Sequence, residues 1–378
     1  MFDLVATSTF GLEAVVAREL EALGYAARPT QTGRIEFEGD ASAIARTNLR
    51  LRSADRVFLR AAEFAAPDFD ALYDAVHALP WEQWIGPRDA FPVRGRSVKS
   101  RLSSVPALQR TVKKAMVERL MRAHGVQSLP ETGATFAIEI ALLKDQATLL
   151  VDTSGEGLHR RGYRDLVGAA PLRETLASAL VQLSFWKRGK PLVDPFCGSG
   201  TIAIEAALLG RNIAPGVNRS FLAEEWPWMD EDLWTKAHQE AKDLEVPDLG
   251  ERIIATDIDE AALSLARRHA ERAGVAADIH FQRLPFSALQ SSREYGCVVT
   301  NPPYGVRLEA DEVVFRLYQS MRGVFEKLPT WSFFVLTPWR DFERILGRDA
   351  DRRRKLYNAN IECTYYQFHG PRPGAGRA

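Results

Sequence analysis

From about residue 171 onward the chain settles into one repeating pattern, in which helical stretches alternate with short apolar strands. Helical periodicity covers 171–186, 201–209, 260–273 and 312–327, and apolar strands are read at 191–193, "RIIATDID", "IHFQR", "YGCVVT" and "SFFVLTP". Strands separated by helices can pair only through crossovers, so the pattern predicts a doubly wound, mostly parallel α/β sheet. Ligands of such sheets sit at the carboxyl ends of the strands. The tail "RKLYNANIECTYYQFHG" breaks the pattern with two consecutive strands about an Asn-rich turn, an antiparallel hairpin added to the sheet edge.

The first half reads as α+β. A short strand opens it, followed by a helix with apolar Leu12, Val15, Val16, Leu20 and Leu23, and then by alternating Ile35 and Phe37. A helix near 41–51, a strand "RVFLRAAEFAA" and an amphipathic helix ending near Pro80 follow. Beyond them a strand and loop, "FPVRGRSVKSRLSS", lead into a helix with Leu108, Val112, Met116 and Leu120 on one side. Two strands then flank a Lys-Asp turn in "TFAIEIALLKDQATLLVDTSG". The change of pattern places a boundary near 155–165.

Composition narrows the classes. No apolar run approaches the roughly 20 residues of a membrane helix, and the N-terminus lacks a basic segment followed by an apolar one, so a cytoplasmic protein is expected. Three widely separated cysteines, Cys197, Cys297 and Cys363, give neither disulfide nor zinc spacing, and no metal is expected. Lys and Arg balance Asp and Glu over the whole chain, but residues 88–122 hold ten cations and two acids.

In "LVDPFCGSGTIAIEAAL" a strand ends at Asp194 and a helix begins near Thr201, so a glycine turn and a helix N-terminus face the ligand edge. Gly198 and Gly200 let the chain approach a ligand closely, a property shared by dinucleotide and other adenosine sites. Asp194 would repel a pyrophosphate and suit a cationic amino group such as that of S-adenosylmethionine. Asp257, in "ATDID", is placed to accept from ribose hydroxyls, and Asp259 to cap the following helix.

"CVVTNPPYGV" ends a strand at the same edge with a sequence that continues neither strand nor helix. Two prolines supply carbonyls without competing N–H donors, so the Asn301 amide oxygen and a neighbouring backbone carbonyl can converge on one external amine. Holding both hydrogens of an exocyclic base amine orients it and localises its lone pair. Tyr304 offers a stacking face for a base turned out of its helix.

These segments, together with "DTSGEGLHRRGYR", "APLRETLASALV", "RNIAPGVNRSF", "WPW" and "RKLYNANIEC", make the C-terminal half resemble a class I S-adenosylmethionine-dependent amino-methyltransferase. The whole chain is similar to THUMP-domain RNA methylases, closest to the bacterial 23S rRNA guanine-N2 methyltransferases. The resemblance implies a ferredoxin-like module over 1–65, a THUMP domain over 66–155 that binds structured RNA, and a Rossmann-like methyltransferase domain over 160–378. It implies that Asp194, Pro195, Phe196, Gly198, Gly200 and Thr201 line the methionine end of the cofactor. Asp257 and Ile258 would meet the ribose side, Leu284 and Phe286 the adenine, and Pro171 and Arg173 of "APLRE" would close over it. Asn301, Pro302, Pro303 and Tyr304 would hold the target amine, most simply guanosine N2 of large-subunit rRNA or an assembly intermediate, in a monomeric enzyme. An adenine-N6 DNA methyltransferase and a non-catalytic RNA-binding scaffold are the alternatives.

The cationic segment agrees with an RNA substrate. Arg94, Arg96, Lys99, Arg101, Arg110, Lys113 and Lys114 are expected to meet phosphates, with "RRRK" at 352–355 adding a second contact.

Overall fold

The computed structural model describes residues 1–164, 172–304 and 308–372, with 308–311 described in backbone only. The chain forms two compact units, neither of them continuous in sequence. One comprises Met1–Thr7, Ala17–Leu158 and Ser220–Glu240, the other Ser8–Val16, His159–Arg219 and Ala241–Ala378.

The first unit is built on β1 (Phe2–Thr7), α1 (Glu13–Ala22, whose first turn, Glu13–Val16, belongs to the other unit), β2 (Arg28–Gln31), β3 (Arg34–Gly39), α2 (Ala41–Arg50), β4 (Arg56–Ala65), α3 (Phe69–Ala78), β5 (Val93–Val98), α4 (Val105–His124), β6 (Ala137–Leu143) and β7 (Gln146–Asp152). All seven strands join one sheet in the order β2-β3-β1-β4-β7-β6-β5. The long strand β4 is its centre, antiparallel to β1 on one side and to β7 on the other. The Lys-Asp turn joins β6 to β7 with φ of 51° at Lys144 and 64° at Asp145, the left-handed pair that a two-residue hairpin needs. Leu108, Val112, Met116 and Leu120 bury the inner stripe of α4. Gly125, at φ 65°, ends that helix in the left-handed region.

Residues of "WPW" explain why a later segment joins this unit. The Trp226 ring stacks on Phe136 at 4.8 Å and its Nε1 donates to the Thr135 carbonyl at 2.9 Å. Trp228 packs against Phe2, and Glu240 accepts from Arg46 at 2.7 Å.

The second unit carries α5 (Glu174–Leu183), β8 (Leu192–Asp194), α6 (Thr201–Gly210), β9 (Ile253–Asp257), α8 (Glu260–Arg272), β10 (Ile279–Arg283), β11 (Cys297–Thr300), α9 (Leu308–Lys327), β12 (Ser332–Thr337), α10 (Phe342–Leu346), β13 (Arg352–Asn358) and β14 (Ile361–Phe368); α7 (Glu231–Asp243) begins in the exchanged segment of the first. Its sheet runs β10-β9-β8-β11-β12-β14-β13. The first five strands are parallel, and the expected edge hairpin is present, β14 being antiparallel to both β12 and β13. Neighbouring residues of β11 face opposite layers: Val299 packs with α5 and α6, Val298 with α9. Burial on both faces is why "CVVT" reads as a continuous apolar run. Strand order reverses between β8 and β11, which makes their carboxyl ends the expected crevice.

Helices α7 and α10 and strand β2 have no counterpart in the elements expected from periodicity. Strand β2, "RPTQ", is exposed throughout and carries no apolar alternation. The segment Ser8–Val16 contributes Leu12 and Val15 to the core of the second unit, and Gly11 lies against β13 with φ 87°. A Cβ there would sit 2.8 Å from the Lys355 carbonyl oxygen. Gly11→Ala is therefore expected to lower the unfolding free energy by about 1–3 kcal/mol, measured by chemical denaturation.

Candidate functional site

Strand β8 delivers the chain to the glycine turn, and the turn is stitched to β9. Cys197 N donates to the Thr256 carbonyl at 3.0 Å, Gly198 N to Asp257 Oδ2 at 2.9 Å, and Gly200 N to the Cys197 carbonyl at 2.7 Å. These three N–H groups are engaged internally, so the loop offers a ligand less backbone than its sequence implies. What remains for an external group includes the first turn of α6, beginning at Thr201, whose N–H groups have no partner in the helix itself.

The two glycines differ. A Cβ on Gly198 would meet nothing within 4 Å, so this residue borders open space. On Gly200, at φ 83°, it would approach Ala266 of α8 to 3.0 Å. Gly200 thus serves the turn and the close packing of α8.

Asp194 is only 1% exposed. Its Oδ1 accepts from Thr300 Oγ1 at 2.8 Å and from Phe196 N at 3.3 Å. Burial pushes its carboxyl up to about 7, while the Thr300 and Phe196 donors pull it down and nearby Asp257 adds to the rise. The residue expected to partner a cationic amino group is a buried bridge from β8 to β11. Pro195 is buried beside it.

Asp257 is half-buried, its Oδ2 committed to Gly198 N and its Oδ1 to Asp259 N at 3.0 Å. Asp259 caps α8 by accepting from Ala261 N, as its spacing predicts. Next to Asp257, the Ile258 side chain is 66% exposed, a large apolar group left open at the strand ends. Leu284 N donates to the Asp257 carbonyl at 3.1 Å, which brings the turn after β10 to the same edge. The half-buried Phe196 ring stacks on buried Phe286 at 5.2 Å, joining the glycine turn to that loop. Arg173 is exposed at the N-cap of α5, and Pro171 lies outside the described residues.

A residue to which the sequence assigns no role, Arg164 of "RGYR", ties these parts together. It donates to Thr201 Oγ1 and to the Leu172 carbonyl, and pairs with Glu174 at 3.1 Å.

The Asn-Pro-Pro-Tyr loop is held from outside by aromatic side chains and a hairpin. Tyr318 OH of α9 donates to the Pro303 carbonyl at 3.1 Å and contacts Thr337 Oγ1 at 2.9 Å. Trp339 Nε1 donates to the Tyr304 carbonyl at 2.8 Å. Both later carbonyls of the motif are thereby occupied, while no hydrogen bond reaches the Pro302 carbonyl from the described residues. The Tyr304 hydroxyl donates to Asn301 Oδ1, and the half-buried ring packs on the core under α5 and α6. Tyr304 is thus anchored at its hydroxyl end. One lone pair of Asn301 Oδ1 remains for an incoming donor.

All three cysteines are buried free thiols. Burial raises Cys197, Cys363 and Cys297, the last to about 11, which disfavours the thiolate form a nucleophile needs. Among the described residues no cluster of three or more His, Cys, Asp or Glu is placed to hold a metal, and no helix is long and apolar enough to cross a membrane.

The cationic segment is divided by the fold. Arg94 and Arg96 alternate outward along β5, on the sheet face opposite α4, since Gly95 packs against Val105 and Gln109. Arg110, Lys113 and Lys114 lie on α4 itself. Lys113 is engaged by Glu131 at 2.6 Å and lies over the Phe91 ring, and Lys114 is 3.8 Å from Glu118. Arg96 and Arg101 face Glu139 and Asp145 at 3.4 and 3.6 Å on the exposed surface. Lys99 stands in the open loop at φ 51°. The seven cations do not form one patch. In "RRRK", Arg353 pairs with Glu343 and Lys355 with Glu362, both at 2.6 Å.

A doubly wound sheet with a glycine turn and an Asn-Pro-Pro-Tyr loop on adjoining strand ends has the form of a class I methyltransferase. Residues 161–367 match the UPF0020 family, described as RMKL-like, methyltransferase domain, and the chain belongs to that family. Residues 3–58 match the RlmL ferredoxin-like domain and 66–152 the THUMP domain. The chain is 48% identical to the Bacillus subtilis protein named "Putative RNA methyltransferase YpsC", over 97% of this chain and 96% of that one. A solved structure from Listeria monocytogenes, described as "a predicted N6-adenine-specific DNA methylase", is 49% identical with a TM-score of 0.94, covering 98% of this chain and 96% of that one. Another, "SMU.472, a putative methyltransferase complexed with SAH", is 43% identical with a TM-score of 0.93, covering 98% of each chain.

The Asp194 bridge has a pH signature. A carboxyl whose folded value is raised from 3.8 to about 7 favours folding while protonated and loses that contribution as pH rises between the two values. Asp194→Asn keeps an acceptor for Thr300 and Phe196 without the ionisation. Relative to the parent it should gain stability as pH rises from about 4 to above 7, by up to about 4 kcal/mol. Denaturation curves of both proteins at a series of pH values check this; a pH-independent difference would show that Asp194 stays ionised in the fold.

Proposed function

We propose that this protein transfers a methyl group to the exocyclic amine of a base in structured RNA, with guanosine N2 in 23S rRNA, free or in an assembly intermediate, as the target. By family and fold the protein is an S-adenosylmethionine-dependent RNA methyltransferase with a THUMP domain. The described strand-end residues fit that cofactor, since Gly198 borders open space, Asp257 keeps partial exposure and Ile258 presents an apolar surface. When bound, S-adenosylmethionine supplies an activated methyl group on a sulfonium.

The observation that carries the reading is the division of acceptors in the Asn-Pro-Pro-Tyr loop. Pro303 and Tyr304 carbonyls are taken up by Tyr318 and Trp339. Asn301 Oδ1 and the Pro302 carbonyl are then the acceptors assigned to the two amine hydrogens. Holding both turns the nitrogen lone pair toward the donor, and positioning supplies most of the acceleration. The amine becomes more acidic as it is methylated, so no strong base is required of the chain. We assign the ferredoxin-like module to about 1–65, the THUMP domain to 66–155 and the transferase to 160–378, with the N-terminal parts presenting the RNA.

Asn301→Ala is expected to lower single-turnover methyl transfer by about a hundredfold or more, with cofactor and RNA affinities near those of the parent. The assay uses rRNA from a strain lacking the enzyme, and mass spectrometry of the nucleosides separates N2-methylguanosine from N6-methyladenosine. Near-normal transfer would remove Asn301 from the reaction.

Phosphate contacts are assigned first to Arg94, Arg96 and Lys99, the cations of the strand and loop. Changing these three to Glu should weaken RNA binding and flatten the dependence of log K on log salt by about one per lost contact, with S-adenosylhomocysteine binding unaffected. An unaltered slope would mean that RNA binds elsewhere.

A further inference from the structure

We infer that Asn358, on the edge hairpin, is a positioning residue for methyl transfer: it directs the proton of the Tyr304 hydroxyl, and through it the orientation of the Asn301 amide. The inference rests on the reading of Asn301 as an acceptor for the target amine.

Asn358 is the last residue of β13 and is buried. Its Nδ2 donates to the Tyr304 hydroxyl oxygen at 3.3 Å, and the Cys363 thiol, from β14, donates to the same atom at 3.6 Å. That hydroxyl in turn donates to Asn301 Oδ1. An amide nitrogen has hydrogens and no lone pair to offer, so with Asn358 donating, the tyrosine oxygen must accept there. A hydroxyl has one proton, and with Asn358 and Cys363 both donating to its oxygen, the remaining neighbour for that proton is Asn301. Asn301 must then present its oxygen to the tyrosine, and its NH₂ group is turned away.

This matters because the two ends of an asparagine amide are nearly the same in shape and opposite in polarity. Flipped, Asn301 would aim N–H donors at an amine that also donates, and the acceptor pair would be lost. A chain of donors running from Asn358 through Tyr304 to Asn301 selects one of the two orientations before substrate arrives. The loop's backbone has further supports of its own. Its path is fixed separately by Tyr318 on the Pro303 carbonyl, by Trp339 on the Tyr304 carbonyl and by Thr300 on Asp194. The hydroxyl network touches the side chains rather than the backbone of the loop, and what it sets is the direction of an amide.

The test is a double-mutant cycle. Asn358→Asp keeps the size of the side chain and reverses its polarity, drawing the tyrosine proton away from Asn301. Single-turnover transfer should fall about tenfold, the order of one neutral hydrogen bond, while S-adenosylhomocysteine and RNA affinities stay within about twofold of the parent. In a Tyr304→Phe background, where the path is already cut, Asn358→Asp should add less than about twofold. Asn358→Ala, taken through the same cycle, should show the same non-multiplying losses and serves where the fold does not tolerate the buried carboxylate. Multiplying rate losses in the two backgrounds, or an unchanged rate in the Asn358 variants alone, would overturn the relay. Those outcomes differ from failure of the underlying reading, which would appear as normal transfer by Asn301→Ala.

Discussion

One hydrogen bond joins the two halves of the candidate site. Thr300 Oγ1 donates to Asp194 Oδ1 at 2.8 Å, linking the last residue of β11 to the last residue of β8. Thr300 is followed directly by Asn301, and Asp194 by the glycine turn. The loop assigned to the substrate and the loop assigned to the cofactor therefore share a common fixed point in the interior. The ladder between these two strands pairs Cys297 with Leu192 and Val298 with Val193 and stops before either loop begins, so the side-chain bridge carries their connection on to the strand ends. Transfer between two bound groups depends on their separation, and a buried tie between the two loops is a direct way to fix it.

The surrounding contacts follow the same plan. Asp257 holds Gly198, Phe286 holds Phe196, and Arg164 spans Thr201, Leu172 and Glu174. Each brings a segment distant in sequence to the carboxyl edge of one sheet. Side chains on secondary-structure elements thus position loops that would otherwise wander, and the acceptors left over are the ones available to a substrate.

The local motifs were legible in the sequence because their chemistry is local. A glycine turn between an apolar strand and a helix, a capping Asp259 and the hairpin at Lys144 and Asp145 all rest on backbone preferences of the residues themselves. Distant pairings were not legible. That Asp194 accepts from Thr300, or that Tyr304 reaches Asn358, depends on strand order. The division of the cationic run was partly readable: Arg94 and Arg96 are two apart on a strand, hence on one face, whereas Arg110, Lys113 and Lys114 follow helical spacing on an element that covers the other. Proximity in sequence grouped what periodicity separates. The exchange of Ser8–Val16 and Ser220–Glu240 between units had no sequence signal beyond the tryptophans of "WPW".

The seven-stranded sheet of the first unit also bears on how such a chain can be inherited. Two families match successive parts of it, residues 3–58 and 66–152, yet β4 pairs with β1 over Arg56–Leu59 and with β7 over Phe58–Ala65, so the two parts are joined by one hydrogen-bonded ladder. A lineage that lost the first 65 residues would leave β7 with a bare edge of unpaired N–H and carbonyl groups, a template for aggregation. Keeping both parts covers that edge, so the shared sheet favours inheriting them as one piece.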